Sequence, residues 1–439
     1  MEQKKKIKVA MICHFSNAFV RENLSLGDPK YLNVVLKMLG RDPRVYFDFA
    51  PWISNIAYQC ENNEDIELHV IASHYGMHKD NMQFQHNGVW YHFYKGFPPR
   101  ILIAIDDKLF KGKLVTEYNH NSKKVCRYVK EIDPDLVVLV GAENAQYASS
   151  VLNIKDKPIF VLCQTVLDNP EYAATCNNMV SYNRRVNIER RILQHTKYVA
   201  VYSDKHRDLL RKIGYKGYIF DFNWPSGALF VAQPCEKKDF DFVNFANGMS
   251  LEKGYHDCIK ALATVKKYYP EVRLALIDRG PVSVREELLE LIDELGLKNN
   301  VTFIPFFEKK SDLFQFLVSV RFAVLPCKVD HISGTMHQAM GRGLPTVVYK
   351  TTGTPSLNAK KECVLIAEME NIDDLAQQML RLMDNPELAS RLSANSREYM
   401  VEYRKQNEGQ MERLIEEFKA VMNNYYEDKD IPAELLGGE

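Results

Sequence analysis

Long apolar runs are what this chain of 439 residues most plainly lacks. Its start, MEQKKKIKVAMIC, is basic and then apolar. The apolar part is only about seven residues, too short for a secretory h-region and far short of the ~20 residues that cross a bilayer. It reads as a first buried strand, and no other stretch is long and apolar enough to span. Paired cysteines are missing as well. Nine cysteines are scattered from Cys13 to Cys363 with no C-x-x-C pair and no metal-ligand spacing. Most lie in apolar runs such as VLCQT and AVLPC, where Cys acts as a small buried hydrophobe. A disulfide framework is excluded on that pattern, and the expected compartment is reducing and cytoplasmic, with peripheral contact at the inner face of a membrane as a further expectation. There is no internal short repeat and no nucleic-acid-binding motif.

Net charge is also absent, with 57 Lys+Arg against 57 Asp+Glu. The balance hides an asymmetry, because residues 1–230 carry 31 basic and 24 acidic side chains. A basic first half suits an anionic acceptor or an anionic membrane surface; chance asymmetry on a solvated face explains it equally well. What is present is ordinary globular material: 46% apolar and 26% charged residues, in a length that makes two or three domains.

Short apolar runs alternate with amphipathic segments throughout. In the first half IKVAMIC, IELHVIAS, GVWYHFY, DLVVLVG, PIFVLC and KYVAVYS read as strands. Runs without polar alternation indicate strands buried on both faces, as in parallel sheets, and strand–helix alternation indicates βαβ units. The second half repeats the pattern with DFDFVNFA, VRLALID, NVTFIPF, RFAVLPC and LPTVVYK. The predicted division is a first doubly wound domain over 1–222, a hinge over 223–238, a second doubly wound domain over 239–395, C-terminal helices over 396–428, and a loose tail over 429–439.

Doubly wound sheets bind ligands beyond the carboxyl ends of their strands. After the first strand of the second half lies ANGMSLEKG, where Asn247 and Gly248 allow a tight turn and Lys253 opens a helix. A cation there opposes the helix dipole, which a bound phosphate would repair; a solvent-exposed Lys is the plainer alternative. DRGP follows the second strand and brings Arg279 to the same edge. The densest stretch is KVDHISGTMHQAMGRGLPTVV. Its small-residue loop, Ser333, Gly334 and Thr335, opens a helix of about two turns and presents backbone N–H groups, a second phosphate site. Gln338 lies one turn further on, within reach of a ligand hydroxyl.

The order and spacing of EKG, a strand closing on G-P, NVTF, VLP and QAMGRGLP resemble the retaining glycosyltransferases of family 4, closely over Phe242 to Leu380 and loosely before it. The resemblance implies a GT-B fold: an α/β chain of two facing Rossmann-like doubly wound domains, with C-terminal helices packing back towards the N-terminal domain. It implies a metal-independent enzyme of hexosyltransferase type, with no cofactor and a nucleotide diphosphate sugar, a UDP-sugar foremost, as co-substrate. The acceptor would be a glycan, a lipid-linked molecule or a small molecule, in surface polysaccharide or glycoconjugate synthesis. Lys253 then binds the donor diphosphate and shares the catalytic role with Asp330, which positions the sugar. Asn247, Gly248, Arg279, Phe306, Ile332, Ser333, Gly334, Thr335 and Gln338 complete the donor site. Asp330 and Gln338 stand where the family usually has two Glu, and Gly248 where it has Arg, a charge that Arg279 or Arg342 would have to replace. Asn17, Glu143, Asn144 and Gln164, beyond first-domain strands, are the acceptor candidates.

Two other classes stay open: a non-catalytic GT-B protein that binds a ligand or partner, and a nucleotide-sugar epimerase using Glu143 and His331. His74 and His78 are two ligands without a third, which is not a metal site. The arginines of the Ser181–His195 stretch read as a solvated helix face or a lipid- or acceptor-facing one.

Overall fold

The structure is a computed structural model that describes residues 6–27, 48, 50–74, 76–174, 176, 178–225, 237–246, 248–278, 280, 282–328, 332–351, 353–406 and 408–437. It divides into two compact units. Described residues 6–27, 48–225 and 408–437 form the first, and 237–406 the second.

The first unit contains β1 (Ile7–Cys13), β2 (Ile66–Ser73), β3 (Asn81–His86), β4 (Val89–Tyr94), β5 (Leu136–Val140), β6 (Ile159–Leu162), β7 (Tyr198–Val201) and β8 (Tyr218–Asp221). They join in the order β3-β4-β2-β1-β5-β6-β7-β8. Every pairing is parallel except β3 with β4. The alternation along β1 divides its side chains between two cores, with Val9, Met11 and Cys13 on one face and Ala10 and Ile12 on the other. Helices cover both faces, which is why β5 and β6 are continuous apolar runs buried along their whole length.

The second unit contains β9 (Phe240–Asn244), β10 (Leu274–Asp278), β11 (Val301–Pro305), β12 (Val320–Leu325), β13 (Thr346–Tyr349) and β14 (Leu365–Ala367). The order is β11-β10-β9-β12-β13-β14, parallel throughout. The strand order therefore reverses between β1 and β5 in the first unit and between β9 and β12 in the second. Those are the switch points where loops diverge and leave room for a ligand.

The two C-terminal helices part company. Pro386–Gln406 lies in the second unit and Gln410–Glu427 in the first. Met411, Leu414, Ile415, Phe418 and Val421, an i, i+3, i+4, i+7 stripe, join the first-unit core. Phe418 meets Phe160 edge-on with ring centroids 6.1 Å apart. The expectation of a loose tail over 429–439 fails as far as residue 437. Ile431 and Leu435 are buried in the same core, and Arg413 Nη2 donates to the Glu434 carbonyl at 3.0 Å. Two apolar residues four apart within a short polar sequence were enough to dock it. Among the described residues no helix is long and apolar enough to cross a membrane. The expected hinge over 223–238 falls largely outside the described residues.

Candidate functional site

In the second unit the loops after β9 and β12 flank the switch point and are tied to each other. Asn244, fully buried at the end of β9, accepts from Ala246 N at 3.0 Å through Oδ1, and its Nδ2 lies 3.5 Å from the Lys253 carbonyl. One side chain thus holds the start and end of the loop. Ser250 caps the 3-10 turn Leu251–Lys253 by accepting from Lys253 N. Gly254 then turns left-handed at φ +73° and opens the helix Tyr255–Lys266. The Tyr255 hydroxyl lies 2.9 Å from the Ala246 carbonyl and 3.0 Å from that of Ile277, so it pins the loop after β9 to the end of β10.

Three contacts carry the loop after β12 onto this frame. Lys328 N donates to the Glu252 carbonyl at 2.8 Å. Lys253 Nζ lies 3.5 Å from Cys327 Sγ. Lys328 Nζ lies 3.0 Å from Asp257 Oδ2 and 3.0 Å from Glu370 Oε1, and Asp257 also accepts from Tyr349 OH at 2.9 Å. Burial opposes the charge on Lys328, but these two carboxylates outweigh it and raise its pKa. A Cβ at Gly254 would run into the Pro326 carbonyl. Gly254→Ala is therefore expected to force the two loops apart. It should lower the unfolding free energy by about 2–4 kcal/mol, read as a reduced urea midpoint. An unchanged midpoint would count against the close approach of the two loops.

Ser333 caps the helix Gly334–Gly341 by accepting from Met336 N. Among the described residues the N–H groups of Gly334 and Thr335 have no acceptor, and neither does the Gln338 amide have a partner. Ile332 and Phe306, the latter just beyond β11, pack against one apolar cluster. The described donor candidates Gly248, Lys253, Phe306, Ile332, Ser333, Gly334, Thr335 and Gln338 thus share the carboxyl edge of one sheet. Asn247, Arg279, Asp330 and His331 lie outside the described residues. Arg342 does not serve as the replacement cation. It caps the far end of the Gly334–Gly341 helix with its guanidinium 3.5 Å from the Phe314 ring centroid.

In the first unit, three acceptor candidates converge at the β1/β5 switch point. Gly141, at φ +83°, follows β5; a Cβ there would stand 2.6 Å from Glu143 Oε1, 2.7 Å from Asn144 Nδ2 and 2.8 Å from Gln164 Nε2. Asn144 Nδ2 donates to Glu143 Oε1 at 2.8 Å. Glu143 Oε2 and Gln164 Nε2 are buried with no partner among the described residues. Burial pushes the Glu143 carboxyl up to about 8. Beside them, the Tyr147 hydroxyl donates to the Val140 carbonyl at 2.6 Å, so His14 Nδ1, 2.9 Å away, donates to it. Burial lowers the His14 pKa to about 4, keeping the ring neutral.

Asn17 does not join this group. Its Oδ1 accepts from Val20 N as the cap of the helix Ala18–Asn23, and its Nδ2 donates to Tyr58 OH at 3.1 Å. Its polar atoms are used inside the fold, which corrects its reading as an acceptor ligand. The arginines of the helix Met179–His195 are likewise spoken for. Arg184 pairs with Asp106 and Asp107, Arg190 with Asp168, and Arg191 with Glu117, while Arg185 Nε donates to the Glu143 carbonyl at 3.0 Å. Sequence reasoning missed Tyr255 and the Asp257–Lys328–Tyr349 network. The visible signal was the Lys directly after the AVLPC strand.

The fold is that of a known class. Sucrose-phosphate synthase from Thermosynechococcus elongatus matches with a TM-score of 0.64 over 94% of this chain and 100% of that one, at 14% identity. The fold is that of the GT-B glycosyltransferases, two Rossmann-like domains with helices. More particularly, residues 231–399 match the family Glycosyl transferases group 1. The chain is 28% identical over 171 residues to an uncharacterized glycosyltransferase of Haemophilus influenzae, covering 39% of this chain and 45% of that protein. It is 29% identical over 146 residues to the lipopolysaccharide core biosynthesis glycosyltransferase LpsD of Rhizobium meliloti, covering 33% and 40%. The matches span less than half the length of these curated relatives.

Proposed function

We propose that this chain transfers a hexose from a nucleotide diphosphate sugar, a UDP-sugar foremost, to a hydroxyl of a glycan or lipid-linked acceptor. The observation that carries the reading is the pair of joined loops after β9 and β12, which bring Lys253 against Cys327, seven positions before a helix whose first N–H groups have no acceptor among the described residues. Together they form a seat for a diphosphate. The sugar C1–O bond to phosphate breaks, and the acceptor oxygen bonds C1 from the same face. The acceptor proton passes to the departing phosphate oxygen, so configuration is retained. Lys253 and the Gly334 and Thr335 N–H groups stabilise the charge that develops on the leaving diphosphate, in place of a metal ion. Asp330 orients the sugar, and Glu143, Asn144 and Gln164 hold the acceptor. The match to LpsD supports a surface glycan as product.

A thermal-shift panel of nucleotide sugars, followed by turnover with and without EDTA, tests this. A donor at about 100 times its Kd stabilises the fold by about 2.7 kcal/mol, and turnover should survive EDTA. A panel in which no nucleotide sugar shifts the melt or is consumed would sink the proposal. Binding without turnover would point to the non-catalytic alternative, and a new sugar nucleotide formed without acceptor would point to an epimerase.

A further inference from the structure

The segment 97–114 exposes what a folded chain ordinarily hides. Among the described residues, six of the nineteen exposed large hydrophobic side chains fall in these eighteen positions: Phe97, Leu102, Ile105, Leu109, Phe110 and Leu114. Leu109 is 68% and Leu114 66% exposed. The pattern is helical. Leu102, Ile105 and Leu109 stand at i, i+3 and i+7 along Arg100–Ile105 and its continuation Asp106–Phe110, so they share one face, and that face is turned to solvent. The opposite face holds the segment in place. Ile103 packs on the core, and buried Asp106 accepts from Leu114 N at 3.0 Å and Val115 N at 2.8 Å.

The charges sort the same way. The segment's two acidic residues, Asp106 and Asp107, turn inward to Arg184. Lys108, Lys111 and Lys113 stay exposed, and Lys95 just before them as well, with no ion-pair partner among the described residues. An outward apolar stripe bordered by unneutralised lysines is the complement of an anionic lipid surface, where the chains bury the stripe and the headgroups meet the ammonium groups. A second copy of the chain fits it poorly, since lysine would face lysine. The segment also leaves from the carboxyl end of β4, the sheet edge that carries Glu143 and Gln164.

We propose that residues 97–114 form a peripheral membrane element that seats this chain on an anionic bilayer. This is a different surface from the arginine helix that the sequence brought forward, and it does not depend on the donor site. Flotation of the full chain with phosphatidylcholine vesicles, with and without about a third phosphatidylglycerol, tests it. The wild type is expected to float with the anionic vesicles only. Lys108→Gln/Lys111→Gln/Lys113→Gln should lower partitioning about fivefold per lysine, and Leu109→Glu/Leu114→Glu by about tenfold or more. Both variants should keep the wild-type melting temperature, because the replaced side chains are exposed. Absence of binding by the wild type, or equal binding by well-folded variants, overturns the proposal. So does light scattering that finds a wild-type dimer which Leu109→Glu/Leu114→Glu dissolves, because the face then belongs to a second copy.

Discussion

Lys253→Ala is expected to weaken UDP binding by about 10- to 100-fold, the range of a charge-assisted hydrogen bond lost from a built site. The side chain sits at the positive end of the Tyr255–Lys266 helix, where a cation is electrostatically out of place until an anion arrives. Its position is over-determined: Ser250 caps its N–H, Asn244 reaches its carbonyl, and Cys327 Sγ lies beside its ammonium. Removing the ammonium leaves the two backbone ties in place and deletes the charge together with its contact to Cys327. The loss in kcat/KM should exceed the loss in affinity, because charge on the leaving diphosphate grows towards the transition state. Calorimetry with UDP and donor turnover give the two numbers. Lys266→Ala at the other end of the same helix is the control and should change neither. Unchanged UDP affinity in a folded Lys253→Ala protein would remove the diphosphate from this site.

The two doubly wound sheets were legible because parallel strands buried on both faces leave unmistakable apolar runs, as in LVVLV of β5. The strands that escaped are short or at edges. NMQFQH of β3 pairs on one side only and keeps its polar alternation; β8 and β14 have four and three residues. In the site, what a single loop encodes was readable: the Lys253 turn and the Ser333–Thr335 cap. What required pairing of distant segments was not. Tyr349 meets Asp257 across 92 positions, and the arginines of the Met179–His195 helix find carboxylates 22 to 78 positions away. A run of charge in sequence shows neither its partners nor that it has them. The exposed stripe of 97–114 was hidden for the same reason, because the sequence ILIAI does not say which face the fold will cover.

Glu143 gives the second large effect, one that pH can separate from structural damage. The Glu143 carboxyl, through Oε1, and the Gln164 Nε2 approach one position beside Gly141, and Glu143 Oε2 and Gln164 Nε2 are buried with no partner among the described residues. With Glu143 protonated both atoms donate, so the pair matches a substrate oxygen, which can accept two hydrogen bonds. With burial holding its carboxyl pKa at about 8, Glu143 is a neutral acid at pH 7 and can donate its O–H; once ionised it can only accept. Acceptor kcat/KM should therefore fall as pH rises through about 8. Glu143→Gln, with a permanent N–H donor, should lose that limb, whereas Glu143→Ala should cost about 10- to 100-fold at all pH values and spare hydrolysis of the donor. Stability carries the same signature. Between the ordinary glutamate value of 4.5 and about 8 the folded chain keeps a proton that the unfolded chain releases. The Glu143 contribution thus declines as pH rises across that window, by at most about 1.4 kcal/mol per pH unit, and is level below and above it. Urea midpoints of wild type and Glu143→Gln, compared at pH 5 and pH 8, should diverge in favour of the variant at the higher pH. Parallel midpoints together with parallel pH–rate profiles would show that Glu143 is ionised in the fold and does not donate to the acceptor.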